Sequence, residues 1–226
     1  MQTSGKKLPG AYGANEPKQN AANLRTKGWE LMLTWNDAFK LANKPFRYNL
    51  SVGLADNTSE ITKFDNPSKI LSDYYVGQKL GDIWGYVVDG LFRTDEEAAN
   101  YNVDQTAVNF VINTAQVNPG LHAGDMKFVD LDGDHTISSG SNTADDPGDR
   151  KIIGNSLPRY TYSIQGGFDW YGFDFSIYLQ GVGHQDWYPG TNSVFFWGPY
   201  ARPYSSFIPR DFLSQVWSPE NPDAYF

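Results

Sequence analysis

Four segments of the chain alternate apolar and polar residues, the pattern of a β-strand with two different faces. Their apolar positions are Trp29, Leu31, Leu33 and Trp35; Phe46, Tyr48, Leu50, Val52 and Leu54; Tyr160, Tyr162 and Ile164; and Phe173, Phe175, Ile177 and Leu179. Residues 37–44 separate the first two segments, which predicts a hairpin connection closed by Pro45. A tight turn at 169–172 joins the last two. The pattern predicts an all-β fold of antiparallel strands.

The remaining segments are less regular. Residues 55–82 are polar without a period, which predicts irregular structure with a short helix around 67–73. Residues 83–92 favour another extended piece. Thr94 precedes a run of acids at 95–97, which predicts a capped helix over 95–101. A helical turn is expected at 210–216.

Strands with one apolar and one polar face have two interpretations. In a soluble protein one face packs on a core and the other meets water, and base rates alone favour this interpretation. In a transmembrane barrel the apolar face meets lipid and the polar face a wet lumen. The strand lengths approach the ~9–11 residues that a tilted spanning strand needs. Aromatic residues also lie near the strand ends, as they do in barrel girdles.

Composition excludes several classes of function. The 226 residues carry 18 basic and 26 acidic side chains, a net charge of −8, and this balance argues against nucleic acid as a partner. The chain has no cysteine, which excludes disulfide scaffolds and thiol catalysis. Its three histidines are scattered, and no nucleophile or phosphate-binding motif occurs, so we expect no enzyme.

An acidic loop has the spacing of a cation-binding loop. Asp130, Asp132 and Asp134 stand at relative positions 1, 3 and 5, and the carbonyl of Thr136 stands at position 7. Oxygen ligands in this order suit structural Ca²⁺. Position 6 is His135 instead of glycine and position 12 is Ser141 instead of an acid. A solvated acidic loop without metal therefore remains open, whereas no histidine cluster favours a catalytic metal.

Two runs flank this loop: Gly-Asp-Met-Lys-Phe-Val-Asp-Leu-Asp-Gly-Asp at 124–134, and Asp-Arg-Lys-Ile-Ile-Gly-Asn-Ser-Leu-Pro-Arg-Tyr at 149–160. Together with Gly-Tyr-Val-Val-Asp-Gly-Leu-Phe at 85–92, they resemble the SusC/RagA family of TonB-dependent outer-membrane transporters. The resemblance implies that residues 1–226 are an excerpt from the C-terminal half of a large β-barrel. Residues 55–158 would form an extracellular insertion that contains the metal-like loop 125–149. The resemblance also implies that Asp149 is the distal ligand, after an insertion at about 139–146.

The resemblance implies import of glycans or peptides across the outer membrane. The implied partners are a SusD-like surface lipoprotein, the TonB complex, outer-membrane lipid and the substrate. Aromatic residues at 187–207 are candidates for stacking on sugar rings, although burial within the loops is the more frequent fate of large aromatic side chains. The alternative is a secreted, Ca²⁺-stabilised carbohydrate-binding β-domain.

Overall fold

The computed structural model describes residues 2–4, 18–108, 120–190 and 210–224. Its strands are β1 (Gln2–Ser4), β2 (Lys18–Asn20), β3 (Asn23–Leu41), β4 (Lys44–Lys63), β5 (Asp82–Tyr86), β6 (Val88–Leu91), β7 (Met126–Phe128), β8 (Arg150–Asn155), β9 (Arg159–Trp170) and β10 (Phe173–His184). Helix α1 spans Asp95–Ala99, and a 3₁₀ helix spans Phe212–Gln215. The predicted all-β, antiparallel fold is confirmed. No helix in these described ranges is long and apolar enough to cross a membrane.

The chain divides into two compact units. Unit 1 comprises residues 1–69, 73–82 and 155–187, and unit 2 comprises 70–72, 83–154 and 188–226. Unit 1 is built on an open four-stranded antiparallel sheet in the order β10-β9-β4-β3. Unit 2 contains the small sheet of β6 and β7, most of the β5–β8 pair, and α1.

Register keeps the two faces of the four-stranded sheet chemically distinct. Leu33 pairs with Val52, Val52 with Ile164, and Ile164 with Leu179, so one row crosses all four strands with apolar side chains only. The neighbouring row runs through Thr34, Ser51, Gln165 and Tyr178. Thr34 and Ser51 share a hydroxyl hydrogen bond of 2.9 Å. All four predicted strands are therefore confirmed with their predicted parity.

Two tight turns close the hairpins of this sheet. The β3–β4 turn consists of Ala42 and Asn43 alone, with φ of 51° and 62°. The β9–β10 turn consists of Tyr171 and Gly172, with φ of 51° and 88°. Positive φ at both central residues matches the right-handed twist of antiparallel strands. The predicted turn at 169–172 is confirmed, whereas the predicted connection over 37–44 is wrong because both strands continue through most of it.

Strand β4 also continues further than the sequence pattern indicates. The prediction of irregular structure from residue 55 is wrong as far as Lys63, because β4 pairs with β3 throughout that stretch. Most of its cross-strand pairs there include polar residues: Thr26 and Ser59 share a hydrogen bond of 2.7 Å, and Arg25 donates to Glu60 at 3.1 Å. Polar pairs on both faces sustain the ladder without leaving an apolar alternation to detect.

The predicted helix around 67–73 is wrong as well. Residues 67–73 form turns in which Lys69 has a φ of 52°, a left-handed value that interrupts any helix. Ile70 instead makes an isolated antiparallel bridge with Thr143. A proline followed by polar residues is as common in consecutive turns as at the start of a helix. The local sequence therefore could not distinguish turns from a helix here.

Arg159 joins β9 to β4 where the long segment between these strands returns to the sheet. Its guanidinium donates to both carboxylate oxygens of Asp56, from Nε at 2.5 Å and from Nη2 at 2.6 Å. The Asp56 side chain is only 9% exposed. Such a bidentate pair fixes orientation as well as distance, so the two strands are held together at the base of residues 64–158.

Unit 2 is organised around a small core. Phe92 and Ile137 are fully buried, and Ala98 and Val103 are nearly so. Helix α1 begins after Thr94, whose hydroxyl accepts a hydrogen bond from the Glu97 amide at 3.1 Å. The predicted capped helix is confirmed, ending at Ala99. The helical turn expected at 210–216 is confirmed as the 3₁₀ helix.

Candidate metal centre and exposed apolar face

The acidic loop is folded by its own carboxylates. Asp130 accepts from the amides of Gly133 at 2.6 Å and His135 at 2.9 Å, and Asp132 accepts from Asp134 at 3.1 Å. Gly133 and His135 have φ of 81° and 65°. Side-chain acceptors of this kind mimic backbone turns and curl the chain tightly. The loop is therefore tightly curled and has a left-handed residue, His135, at position 6, where the cation-binding pattern has glycine.

Asp149 closes the loop from eleven residues beyond Ser138. Its Oδ1 accepts from the Leu131 amide at 2.7 Å and its Oδ2 from the Ser138 amide at 2.8 Å. The side chain is fully buried. One carboxylate thus clamps both ends of the loop, a role that spacing alone did not predict for the two amides.

The residues between Ser138 and Asp149 form a compact excursion. Asp146 accepts from the amide and the hydroxyl of Ser141, and Arg150 donates to the Ser139 carbonyl and the Asn142 side chain, both at 2.9 Å. Gly140 and Gly148 pack backbone against backbone, since a Cβ on Gly148 would lie 2.4 Å from the Gly140 nitrogen. This closed excursion returns the chain so that Asp149 lies beside Asp130.

Three of the predicted ligands come together. One carboxylate oxygen from each of Asp130, Asp132 and Asp149 lies within 4.8 Å of the others. Asp134 is not part of this group; its Oδ1 accepts from the Thr136 amide at 2.7 Å. Clustered carboxylates are the donor set of hard cations such as Ca²⁺, so the residues present fit that ion.

The electrostatics of the cluster differ from one carboxyl to the next. Partial burial raises the pKa of Asp130, but the amides of His135 and Gly133 outweigh it, and the net pKa is lowered. For Asp132 the Asp134 amide lowers the pKa, but partial burial and the neighbouring carboxylates outweigh that bond, and the net pKa is raised. The neighbouring carboxylates thus oppose the negative charge on Asp132, and a cation would relieve that repulsion.

A buried amide supports the loop from outside its sequence. Gln105 is 1% exposed, and its side chain donates to the Met126 carbonyl at 2.7 Å and accepts from the Phe128 amide at 3.3 Å. The Asp104 amide donates to the His135 carbonyl at 2.8 Å, and the Ile137 amide donates to the Asp104 carbonyl at 2.7 Å. Sequence reasoning missed these residues, because a single glutamine in an aperiodic segment has no local signal.

The apolar face of the four-stranded sheet is exposed. Leu33 and Trp35 are each 61% exposed, and Phe175 is 50% exposed. Near the two hairpin turns the face carries an aromatic row in which Phe39–Phe46, Phe46–Phe168 and Phe168–Phe175 ring centroids lie 5.0, 5.4 and 5.4 Å apart. In a folded protein an apolar surface of this extent marks an interaction site.

Four residues lie beside the two hairpin turns, at one end of this apolar face: Leu41, Lys44, Trp170 and Tyr171. We name this group the turn rim. The indole N–H of Trp170 donates to the Leu41 carbonyl at 3.2 Å, which ties the two hairpins together. The Lys44 ammonium lies 4.9 Å from the centre of the Tyr171 ring. An ammonium at this distance over a ring face makes a cation–π contact.

The candidate sugar-stacking aromatics fall mostly beyond the described residues. Residues 191–209 lie outside those residues, and Trp187 and Tyr188 are 72% and 58% exposed.

The fold and its surfaces define an all-β protein built on an antiparallel sheet with one exposed apolar face. Two curated proteins of Formosa agariphila are similar to the chain. TonB-dependent receptor P39 is 27% identical over 193 residues, covering 75% of this chain and 18% of that protein. TonB-dependent receptor P3 is 23% identical over 186 residues, covering 76% of this chain and 16% of that protein. No protein-family model matches the chain.

Both similarities support the TonB-dependent receptor family, and neither name specifies the SusC/RagA group. The chain spans less than a fifth of the length of these relatives.

Proposed function

We propose that the chain forms part of the wall and one extracellular loop region of a TonB-dependent outer-membrane transporter. The observation that carries the proposal is the four-stranded sheet, whose exposed apolar face and polar opposite face suit lipid on one side and a wet lumen on the other. The similarity to two TonB-dependent receptors supports the same assignment. In this arrangement the sheet continues on both edges into further strands of a closed barrel.

We propose further that the transporter is of the SusC/RagA type. It would import glycans or peptides under a SusD-like lipoprotein, with energy from the TonB complex. The ordered motifs at 85–92, 124–134 and 149–160 support this finer assignment. Residues 64–158, between β4 and β9, would be extracellular. Transport of this kind breaks no bond, so the proposal assigns no catalytic residue.

The test is the location and heat stability of the native gene product. An antibody against residues 120–145 is used on outer-membrane and soluble fractions, boiled and unboiled. We expect an outer-membrane band that shifts on boiling, because closed barrels resist detergent until heated. A soluble, heat-insensitive product would contradict the proposal and favour the secreted carbohydrate-binding domain.

We propose that Asp130, Asp132 and Asp149 hold a structural Ca²⁺, with Asp134 and the Thr136 carbonyl completing the ligand set through small adjustments of the loop. Support comes from the convergence of three carboxylates, one of them fully buried. Bound Ca²⁺ would neutralise their repulsion and lock the excursion 139–148 onto the loop. Its contribution would be to stability, through preferential binding to the folded state.

Thermal unfolding of the full-length protein tests the metal. Ca²⁺ should raise the melting temperature of the wild type and of Asp145→Ala, which changes an acid outside the cluster. Asp132→Ala should abolish that rise. An unchanged rise in Asp132→Ala would show that the ion binds elsewhere, and no rise in the wild type would contradict the site.

A further inference from the structure

We propose that the turn rim binds the headgroup of an anionic phospholipid, with the Lys44 ammonium on the headgroup phosphate and Tyr171 and Trp170 at the same depth. The inference rests on the proposed function, because it requires the apolar face of the sheet to lie in a bilayer. It assigns a particular lipid contact to a particular end of the strands.

Register places Lys44 on the apolar face. Lys44 pairs with Leu41, and the next pair on the same face is Phe39 with Phe46. The cation therefore stands at the end of an apolar column, where lipid tails would give way to headgroups. Lys40, in contrast, pairs with Pro45 and belongs to the polar face at the same height.

The length of the apolar column fits a bilayer with Lys44 at one boundary. Leu41 lies twelve residue steps along β3 from Trp29, and Trp29 pairs with Asp56 at the far end of the same face. At ~3.4 Å per residue and a tilt of ~40°, the column spans ~31 Å along the membrane normal, close to the ~30 Å of a hydrocarbon core. Trp29 and the Asp56–Arg159 pair then lie at the opposite boundary.

Tyr171 holds the Lys44 ammonium at the end of the apolar face through a cation–π contact. The ring lies beneath the ammonium at 4.9 Å, and the Tyr171 side chain is 65% exposed. A ring and an ammonium at one level are the usual components of a membrane interface. Asp37 lies on the same face, but it is about 13 Å further along the strand and cannot pair with Lys44.

Charge complementarity favours a lipid phosphate as the ligand of the turn rim. The chain as a whole carries −8, so an anionic surface would repel most of it. Lys44 is exposed at the rim of the apolar face, and a lipid phosphate is the anion that occurs there in a bilayer. One lysine near an anionic membrane surface strengthens binding by about five-fold.

The experiment measures lipid retained by the full-length protein. The protein is reconstituted in phosphatidylcholine nanodiscs with phosphatidylglycerol as the probe, and the retained phosphatidylglycerol is quantified by native mass spectrometry after release into detergent. We expect Lys44→Gln to retain about five-fold less than the wild type. Lys44→Arg should restore retention, and Lys40→Gln should match the wild type.

Equal retention by Lys44→Gln and Lys40→Gln would overturn the inference while leaving the transporter proposal intact. Quenching of tryptophan fluorescence by brominated lipid in the same nanodiscs separates the two failures. Quenching with equal retention means that the sheet meets lipid without a headgroup site at Lys44. Absence of quenching in the wild type means that the sheet does not meet lipid, and both proposals then fail.

Discussion

His135 adopts a left-handed backbone conformation, with φ 65°, at the sixth position of the acidic loop. Its side chain is 64% exposed, and its Nδ1 lies 3.9 Å from the Asp130 carboxylate. Left-handed backbone costs a non-glycine residue about 1–2 kcal/mol. The loop thus bears a local strain that its network of carboxylate acceptors sustains.

Replacing His135 with glycine should relieve this strain. We expect His135→Gly to raise the free energy of unfolding of the acidic loop by about 1 kcal/mol, measured in low salt without divalent cations by amide exchange at Ile137. His122→Gly is the matched control and should lower local stability, because His122 has no positive φ. Faster exchange in His135→Gly would mean that the imidazole contributes more than the backbone strain costs.

Residue-level chemistry was partly readable from the sequence. The spacing of Asp130, Asp132 and Asp134 predicted three carboxylates turned toward one cation; Asp130 and Asp132 do converge, whereas Asp134 accepts from the Thr136 amide. The resemblance led to Asp149, which lies beside Asp130 and Asp132. The clamping amides of Leu131 and Ser138 were not predictable, because they depend on how the excursion folds back.

At the scale of elements, α1 depends on side chains that bond to its first turn. Glu97 accepts from the Arg93 amide at 2.9 Å and from the Lys127 ammonium at 3.2 Å. These two bonds, the amide first, lower the pKa of Glu97 despite partial burial. Thr94 caps the helix start by accepting from the Glu97 amide, and the Glu97 carboxylate holds the residue before the cap through the Arg93 amide.

A pH dependence follows from the lowered pKa. Since the pKa of Glu97 is lower in the folded than in the unfolded chain, its ionised form stabilises the helix above the unfolded pKa. That contribution is lost as the pH falls through the folded pKa. Glu97→Gln should therefore speed amide exchange at Ala98 near neutral pH, and the difference from wild type should vanish in acid. Glu96→Gln is the control, and an equal effect in both variants would contradict the assignment.

The long strands were predictable from their alternation, whereas the short strands β7 and β8 were not. Alternation over many residues identified β3, β4, β9 and β10, because one face of each is uniformly apolar. Strands of three to six residues, such as β7 and β8, contain too few positions for a period. The end of β4 was missed for a different reason, since nearly every cross-strand pair beyond Leu54 includes a polar residue and hides the alternation.

At the scale of the whole molecule, the four-stranded sheet and unit 2 are each stabilised by their own internal contacts. The core residues of unit 2, such as Phe92, Val103 and Ile137, lie in turns, loops and strand ends. No periodic pattern in the sequence therefore predicted this core. The sheet is held by direct pairing of β4 with β9, from Phe46–Trp170 to Ala55–Thr161. Pairing of this extent does not require the residues between the two strands.

Excision tests this independence. If residues 65–157 are replaced by a flexible linker of about ten glycine and serine residues, we expect the full-length protein to reach the outer membrane and keep its heat-shifted band. The Ca²⁺-dependent rise in melting temperature should be lost with the acidic loop. Failure of the excised protein to give a heat-shifted band would mean that unit 2 is needed to pair β4 with β9.

The bidentate pair between Arg159 and Asp56 bears on how such a protein can change over evolutionary time. The two residues are 103 positions apart in sequence, and they meet where residues 64–158 rejoin the sheet at the start of β9. Because this ion pair fixes β9 against β4, any segment inserted between the two strands would return to the sheet at the same position. During evolution the segment could then be lengthened, shortened or exchanged, and new specificities acquired, without a change in the pairing of β4 with β9.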